Sequence, residues 1–345
     1  MRLNMYDLNK AEWSFFMNHE GYPEWRAKQV LDWLYKSRVT TFLEMKNLPN
    51  DLIITLKKRF EAMPLVVEKK QIAQDGTVKF LCKLGDGALI ETVLLKHNYG
   101  FSVCVTSQVG CRIGCTFCAS TMHGLQRNLS AGEMVAQVII ADKYLHQTSS
   151  QRVRSIVLMG SGEPFENYDE SIKFVRMACA EEGLNIGQRR ITVSTSGVVP
   201  GIFRFADEGW QVGLAISLHA PNDQLRSRLM PINRRYPLLD LLTACRYYCS
   251  KTKRRITFEY TLIQGENDKN EHAFQLADLI QGMNTYVNLI PLNSVAEKKY
   301  VCSSPDRFEK FLEILTSRRI RCTVRHRRGY EIDAACGQLR NKARM

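Results

Sequence analysis

Hydrophobic spacing divides the 345-residue chain into three stretches. In the first sixty residues apolar positions recur at helical spacing. Val30, Leu31, Leu34 and Tyr35 share one face, and Leu52, Ile53, Leu56 and Phe60 share another after Pro49. From Val66 to Leu95 the pattern changes to short β-branched runs. Asp75-Gly76 and Gly85-Asp86-Gly87 interrupt them, and both are hairpin signals. From Phe101 onward strand and helix alternate. SVCVTSQV, SIVLMG, ITVST, GLAIS, ITFEYTLI, YVNLI and IRCTVRH read as strands. Ser130 and Glu133 form a capping box that opens a helix through Tyr144, and another helix starts near Asn167. Such alternation implies parallel strands with right-handed crossovers. Six or seven units are too few to close an eightfold barrel. The expected fold is α/β, an open, partial β/α barrel of about six units. An N-terminal helical domain (1–62) and a small antiparallel β extension (63–98) precede the barrel (99–345).

Composition narrows the partners. Apolar residues make up 45% and charged residues 24%, an ordinary globular mix. No run of about 18 apolar residues occurs, so no transmembrane helix is expected. The first residues, MRLNMYDLNKAEW, lack the apolar stretch of a secretory signal, so a cytoplasmic protein is expected. Lys and Arg outnumber Asp and Glu by 48 to 35, a net charge of +13. A polyanion such as nucleic acid is the natural partner, the alternative being a solvated basic surface. Basic residues cluster at Arg226, Arg228, Arg234 and Arg235, at Lys251, Lys253, Arg254 and Arg255, and at Arg318, Arg319, Arg321, Arg325, Arg327 and Arg328. Clusters of this kind suit phosphate contacts. Eleven cysteines, an odd number, argue for reduced thiols rather than a disulfide framework.

Unusual residues gather just after the expected strand ends: Cys111, Gly162-Glu163, Ser194, Ser217-Leu218-His219 and Asn293. The C-terminal ends of parallel strands share one face, and ligands bind there. Cys111, Cys115 and Cys118 follow a CxxxCxxC spacing. Three thiols in eight residues suit a soft-metal centre. A structural zinc site needs a fourth ligand, and no other cysteine is near in sequence. Three ligands to a four-iron cluster would leave one iron open. Gly110 and Gly114 permit the tight loop required.

CxxxCxxC after the first strand of a β/α barrel resembles the radical S-adenosylmethionine (SAM) superfamily. VTSQVGCRIGCTFCAS, MGSGEPFENYD, ITVSTSGVVP, AISLHAPN, RSRLMPIN, YVNLIPLN and EIDAACGQLR, in that order, resemble the RlmN family. The resemblance covers essentially the whole chain. It implies methylation of carbon 2 of an adenosine in the peptidyl transferase centre of 23S ribosomal RNA and, in some bacteria, of a tRNA adenosine. It implies a 4Fe-4S cluster on Cys111, Cys115 and Cys118, and two SAM molecules per turnover. It also implies RNA partners, an electron donor such as flavodoxin or ferredoxin, and a monomer. By the same resemblance Cys336 takes a methyl group by polar displacement. A radical derived from the second SAM then takes a hydrogen from that methyl group, and the carbon radical adds to adenine. Cys104 resolves the adduct by forming a transient disulfide with Cys336, and Glu91 is the proton acceptor. Gly162-Glu163, Ser194, Ser217-Leu218-His219 and Asn293 match contacts to SAM, with the Glu163 carboxylate pairing the methionine ammonium.

Read locally, Cys104 and Cys336 are equally compatible with small buried thiols, Glu91 with an outward-facing strand residue, and His219 with a structural role. Ser161 departs from the family, which usually has an apolar residue there. A sister group methylates carbon 8 of the same adenosine; Pro164, Ser196 and Pro291 lean toward carbon 2. The alternative of another class is a non-catalytic RNA-binding protein with a structural metal. It accounts for the charge and the cysteine triad, but not for Cys336, Cys104 and the strand-end convergence.

Overall fold

The computed structural model describes residues 3–293, 295, 297–326, 328–329 and 332. The N-terminal segment begins with β1 (Leu3–Asn4), which pairs in parallel with β2 (Phe60–Glu61). Between them lie α1 (Lys10–His19), α2 (Trp25–Leu31) and α3 (Asn50–Arg59). Asn9 and Glu12 close a capping box at the start of α1. Trp13 is fully buried, its ring 5.6 Å from that of Phe16 and 5.0 Å from that of Phe60.

Four strands then run antiparallel: β3 (Leu65–Ile72), β4 (Val78–Leu84), β5 (Leu89–His97) and β6 (Gly100–Cys104). The first three are the expected small antiparallel extension, and they are joined to the main sheet. β6 also pairs in parallel with β9 (Val153–Leu158), so the antiparallel strands continue the main sheet. That sheet goes on through β10 (Ile191–Thr195), β11 (Gly213–Ser217), β12 (Ile256–Leu262), β13 (Thr285–Pro291) and β14 (Cys322–Val324). It has ten strands, with β3 and β14 at its edges, so the barrel is open as expected.

SVCVTSQV is not one strand. β6 stops at Cys104, and β7 (Gln108–Gly110) pairs instead with β8 (Leu125–Asn128). The Ser107 and Gln108 amides donate to the Ser161 carbonyl, which pulls the chain out of the sheet. Helices α4 (Ala131–Ser149), α5 (Tyr168–Cys179), α6 (Val199–Asp207), α7 (Asp223–Leu229), α8 (Leu238–Thr252), α9 (Asn270–Ile280) and α10 (Pro305–Ser317) fill the crossovers. The capping box at Ser130 and Glu133 forms as the sequence requires, and α4 runs five residues past Tyr144.

Strand alternation gives the sheet two unlike faces. Val103, Ile156, Val193, Ile216, Phe258 and Leu289 belong to the apolar core with the helices. The positions between them are mostly small or polar: Ser102, Cys104, Ser155, Ser194, Ser217, Glu259 and Asn288. That second face is where chemistry can be housed.

The N-terminal segment docks on α4. The Gly132 amide donates to Asp7 Oδ1 at 2.8 Å, and Arg38 pairs with Asp142. A Cβ at Gly132 would lie 2.6 Å from the Asp7 backbone nitrogen. Gly132→Val should therefore lower stability by about 1–3 kcal/mol, read as a lower urea midpoint. An unchanged midpoint would show that this docking contact yields freely.

Candidate active site

The three motif cysteines lie in a loop closed at its base. β7 and β8 clamp its ends, and the Cys111 amide donates to the Gly124 carbonyl. Gly110 has φ +88°, and a Cβ there would fall 1.9 Å from the Gly124 oxygen, so only glycine fits. Thr121 Oγ1 donates to the carbonyls of Cys115 and Cys118. The Thr116 amide donates to the Leu229 carbonyl at the end of α7. Phe117 packs edge-on against His219, with centroids 5.1 Å apart. The loop is thus fastened to the end of β11 and to the helix that follows it.

Burial pushes the Cys111 thiol up to about 12 and the Cys115 thiol further. Ionising them needs positive charge in the loop. Among the described residues no group of three or more His, Cys, Asp or Glu side chains closes around a single ion. A cubane cluster is larger and spreads its thiolates more widely, and the three loop cysteines fit such a group.

One source of positive charge is already present. Arg226, on α7, is fully buried. Its Nη2 donates to the carbonyls of Ser196 (2.7 Å) and Ser217 (3.3 Å), its Nε to that of Leu218 (3.2 Å), and its Nη1 to Asn233 Oδ1 (2.8 Å). No carboxylate among the described residues forms an ion pair with it. Burial lowers its pKa to about 10, while the charge of Cys115 opposes that shift. This corrects the sequence reading, which grouped Arg226 with surface arginines for phosphate. Its neighbours Arg234 and Arg235 are exposed. Burial of this arginine was not legible from spacing, because Arg226 and Arg228 look alike in RSRLMPIN.

The expected cofactor residues meet largely through these contacts. A Cβ at Gly162 (φ +109°) would lie 2.7 Å from Ser107 Oγ, so the 160–163 loop packs directly on the chain leading to β7. The Glu163 carboxylate is buried. Oε1 accepts from the Phe165 amide (3.0 Å), and Oε2 from the Ser196 amide (2.6 Å) and hydroxyl (2.7 Å). An incoming ammonium finds about one lone pair unused there. Glu163 thus holds the loop to the end of β10, with Ser196 as its fold partner. Burial raises its pKa. Ser161 is buried, and its hydroxyl has no partner among the described residues.

Ser194 sits beside Ala215, and Ser217 beside Glu259, in adjacent strands. Leu218 is buried, with its amide on the Glu259 carbonyl. His219 is buried at φ +55°, and its Nδ1 accepts from the Thr261 amide at 3.0 Å. Burial lowers its pKa to about 3, so the ring stays neutral. Asn293 is exposed, two residues beyond the end of β13.

Glu91 is inward and buried, not outward. It pairs with fully buried Lys79 at 2.8 Å, a partner the sequence did not suggest. Register explains the meeting. Val93 stands opposite Lys79 on β4 and opposite Cys104 on β6. Lys79, Glu91 and Cys104 therefore share the polar face of the sheet. Cys104 ends β6 and is buried; it is not on the same strand as Cys111. The ten described cysteines form no disulfide with one another. Cys336 lies outside the described residues. A cavity of about 580 Å³ between α1 and α5 includes none of these residues.

A cysteine loop fastened at the C-terminal ends of parallel strands is the arrangement of the radical SAM superfamily, whose pattern matches residues 105–277. Residues 3–62 match the ribosomal RNA large subunit methyltransferase N-terminal domain. A protein of Halalkalibacterium halodurans is 54% identical over 99% of this chain and 94% of its own length; one of Bacillus subtilis is 53% identical over 100% and 94%. Both are named probable dual-specificity RNA methyltransferase RlmN. A crystal structure of a radical SAM methyltransferase from Sphaerobacter thermophilus superposes with a TM-score of 0.95 at 47% identity, covering 97% of this chain and 98% of that one. The chain belongs to the RlmN family and is an enzyme of the radical SAM class. That class implies a 4Fe-4S cluster and SAM. No described helix is long and apolar enough to cross a membrane.

Replacing Arg226 with Met removes a buried cation and its hydrogen bonds to Ser196, Ser217, Leu218 and Asn233. Stability should fall by about 3 kcal/mol or more, and iron bound per chain should fall with it. Full iron content at wild-type stability would show that neither the strand ends nor the cysteine loop needs this guanidinium.

Proposed function

We propose that the protein methylates carbon 2 of an adenosine in 23S ribosomal RNA and of a tRNA adenosine, through a methyl group carried on Cys336. The family supports RNA as substrate. The observation that carries the finer reading is the shared sheet face of Glu91 and Cys104, 13 positions apart in sequence. A radical SAM core as such needs neither residue. A second contact agrees. The Gly329 amide donates to Asp75 Oδ2 at 3.0 Å, tying the chain seven residues before Cys336 to the β3–β4 turn. Seven residues span up to about 24 Å, ample to reach the face that bears Cys104.

When bound, SAM and the cluster supply the methyl group and the one-electron chemistry. The protein's own groups do the rest. Cys336 holds the methyl carbon and presents it to the target base. Glu91, kept in place by Lys79, accepts the proton that leaves carbon 2, and the adduct's unpaired electron would return to the oxidised cluster, leaving a closed-shell thioether. Cys104 then attacks the Cys336 sulfur. An S–S bond forms, the C–S bond breaks, and the electron pair goes to the new methyl carbon, which takes up a proton. The target adenine has to leave its stack to reach this face.

The approach side follows from strand direction. Arg228, Arg234 and Arg235 follow the end of β11, and Arg325 and Arg328 follow β14, all on the site side of the sheet. Lys251, Lys253 and Arg255 precede β12, and Arg318, Arg319 and Arg321 precede β14, at the opposite end. RNA is held by the first set and by residues 1–62, acting as an accessory gripping domain ahead of the 63–98 extension and the 99–345 barrel.

Two outcomes follow. The tryptic peptide Gly329–Arg340 should gain one CH₂ on Cys336 after incubation with SAM. An unmodified thiol in cluster-replete enzyme would end the methyl-cysteine reading, and nucleoside mass spectrometry would separate carbon 2 from carbon 8. Arg234→Glu with Arg235→Glu should weaken RNA binding and flatten its salt dependence. Lys251→Glu with Arg255→Glu should do so far less; equal losses would overturn the assigned approach side.

A further inference from the structure

Glu259 is a buried carboxylate at the centre of the polar sheet face. It is the fourth residue of β12, flanked by Ser217 on β11 and Asn288 on β13. Its side chain is 4% exposed. Oε1 accepts from Asn288 Nδ2 at 2.9 Å. Oε2 is buried and has no hydrogen-bond partner among the described residues. Its backbone oxygen is separately occupied by the amides of Leu218 and His219.

An orphaned buried carboxylate oxygen is expensive, because it forfeits its hydration and receives nothing in return. Nearby groups do not repay it. Arg325 acts on Glu259 only through its field, and burial leaves the carboxyl pKa raised. Asn288 is itself engaged on both sides, since Thr323 Oγ1 donates to its Oδ1 at 3.4 Å. Thr323, Asn288 and Glu259 thus form a fixed row across three strands, with Oε2 at its open end. Such a row fixes a single acceptor in position before any ligand arrives, as a recognition site requires.

Sheet register tells what the acceptor meets. Ser217 is directly beside Glu259, and Ser194 is one strand further on beside Ala215. These belong to the strand-end group read above as the cofactor site, and this inference rests on that reading. We propose that Glu259 Oε2 accepts a hydrogen bond from a hydroxyl or amino group of a bound adenosine unit, with Asn288 positioning the carboxylate. Adenosine is common to SAM and to the target nucleotide, and the register beside Ser217 favours SAM. Carboxylates serve ribose hydroxyls in this way in other nucleotide sites.

The test uses full-length, cluster-reconstituted protein and three variants: Glu259→Gln, Glu259→Leu and Asn288→Ala. Dissociation constants are measured by equilibrium dialysis for SAM and by filter binding for a 23S ribosomal RNA transcript, with iron content and urea unfolding in parallel. Glu259→Gln should weaken SAM binding about tenfold at unchanged iron content, because an amide turned to keep Asn288 presents its NH₂ to the ligand. Glu259→Leu should raise stability relative to wild type, because it removes the orphaned oxygen. Lost RNA affinity with SAM affinity intact would assign the contact to the target adenosine instead. Unchanged affinity for both probes in a wild type that binds them would overturn the proposal. A wild type that fails to bind SAM would overturn the cofactor reading beneath it. A purely structural Glu259 predicts the opposite stability result, a loss in both Gln and Leu variants.

Discussion

The buried Arg226 guanidinium is the constraint on which the site depends. It joins the ends of β10 and β11, the segment after α7, and, through α7, the cysteine loop. A cation stripped of water and given only carbonyl and amide oxygens is poorly compensated. Three thiolates around a four-iron cluster carry net negative charge and would supply what is missing. The same residue that ties the strand ends together would then also balance the charge of the cluster. Its fork geometry suits the task, since one planar group addresses two strand ends and a loop at once, which an ammonium cannot do.

Around that point the sheet separates two duties by alternation alone. Residues facing the helices are large and apolar, and they hold the sheet through burial. Residues on the other face are small or polar, and several of the polar ones meet in buried pairs. Lys79 with Glu91, and Asn288 with Glu259, are buried polar pairs that contribute little net stability. Their retention on one face is better explained by chemistry than by folding.

Much of this was legible in the chain. Strand and helix alternation, the open sheet and the capping box at Ser130 follow from period and turn chemistry. The gathering of the cysteine loop, Glu163, Ser194 and Ser217 follows from parallel strand direction alone. Three things were not legible, each for a physical reason. Alternation cannot tell which face of a strand is covered, so Glu91 was open to an outward reading until β4 and β5 aligned it with Lys79. Charge runs do not reveal burial, so Arg226 looked like its exposed neighbours. A partner that fixes a motif carboxylate can lie far off in the chain, so the grip of Ser196 on Glu163 could not be read from spacing.

The antiparallel strands acquire a reason from the same geometry. A radical SAM core needs only the parallel strands to hold a cluster and a cofactor. β4 and β5 extend the polar face beyond β6, on the side away from β9. That extension brings Lys79 and Glu91 alongside Cys104, the last residue of the first parallel strand. It also offers Asp75, in the turn before β4, as an anchor for Gly329 in the approach to Cys336. The proposed thiol exchange would require the Cys336 segment to stay clear of the cluster loop. Extending the sheet on the β6 side keeps Lys79, Glu91 and the Gly329 anchor away from β10 and β11, which carry Ser194 and Ser217 and lie across β9 from it.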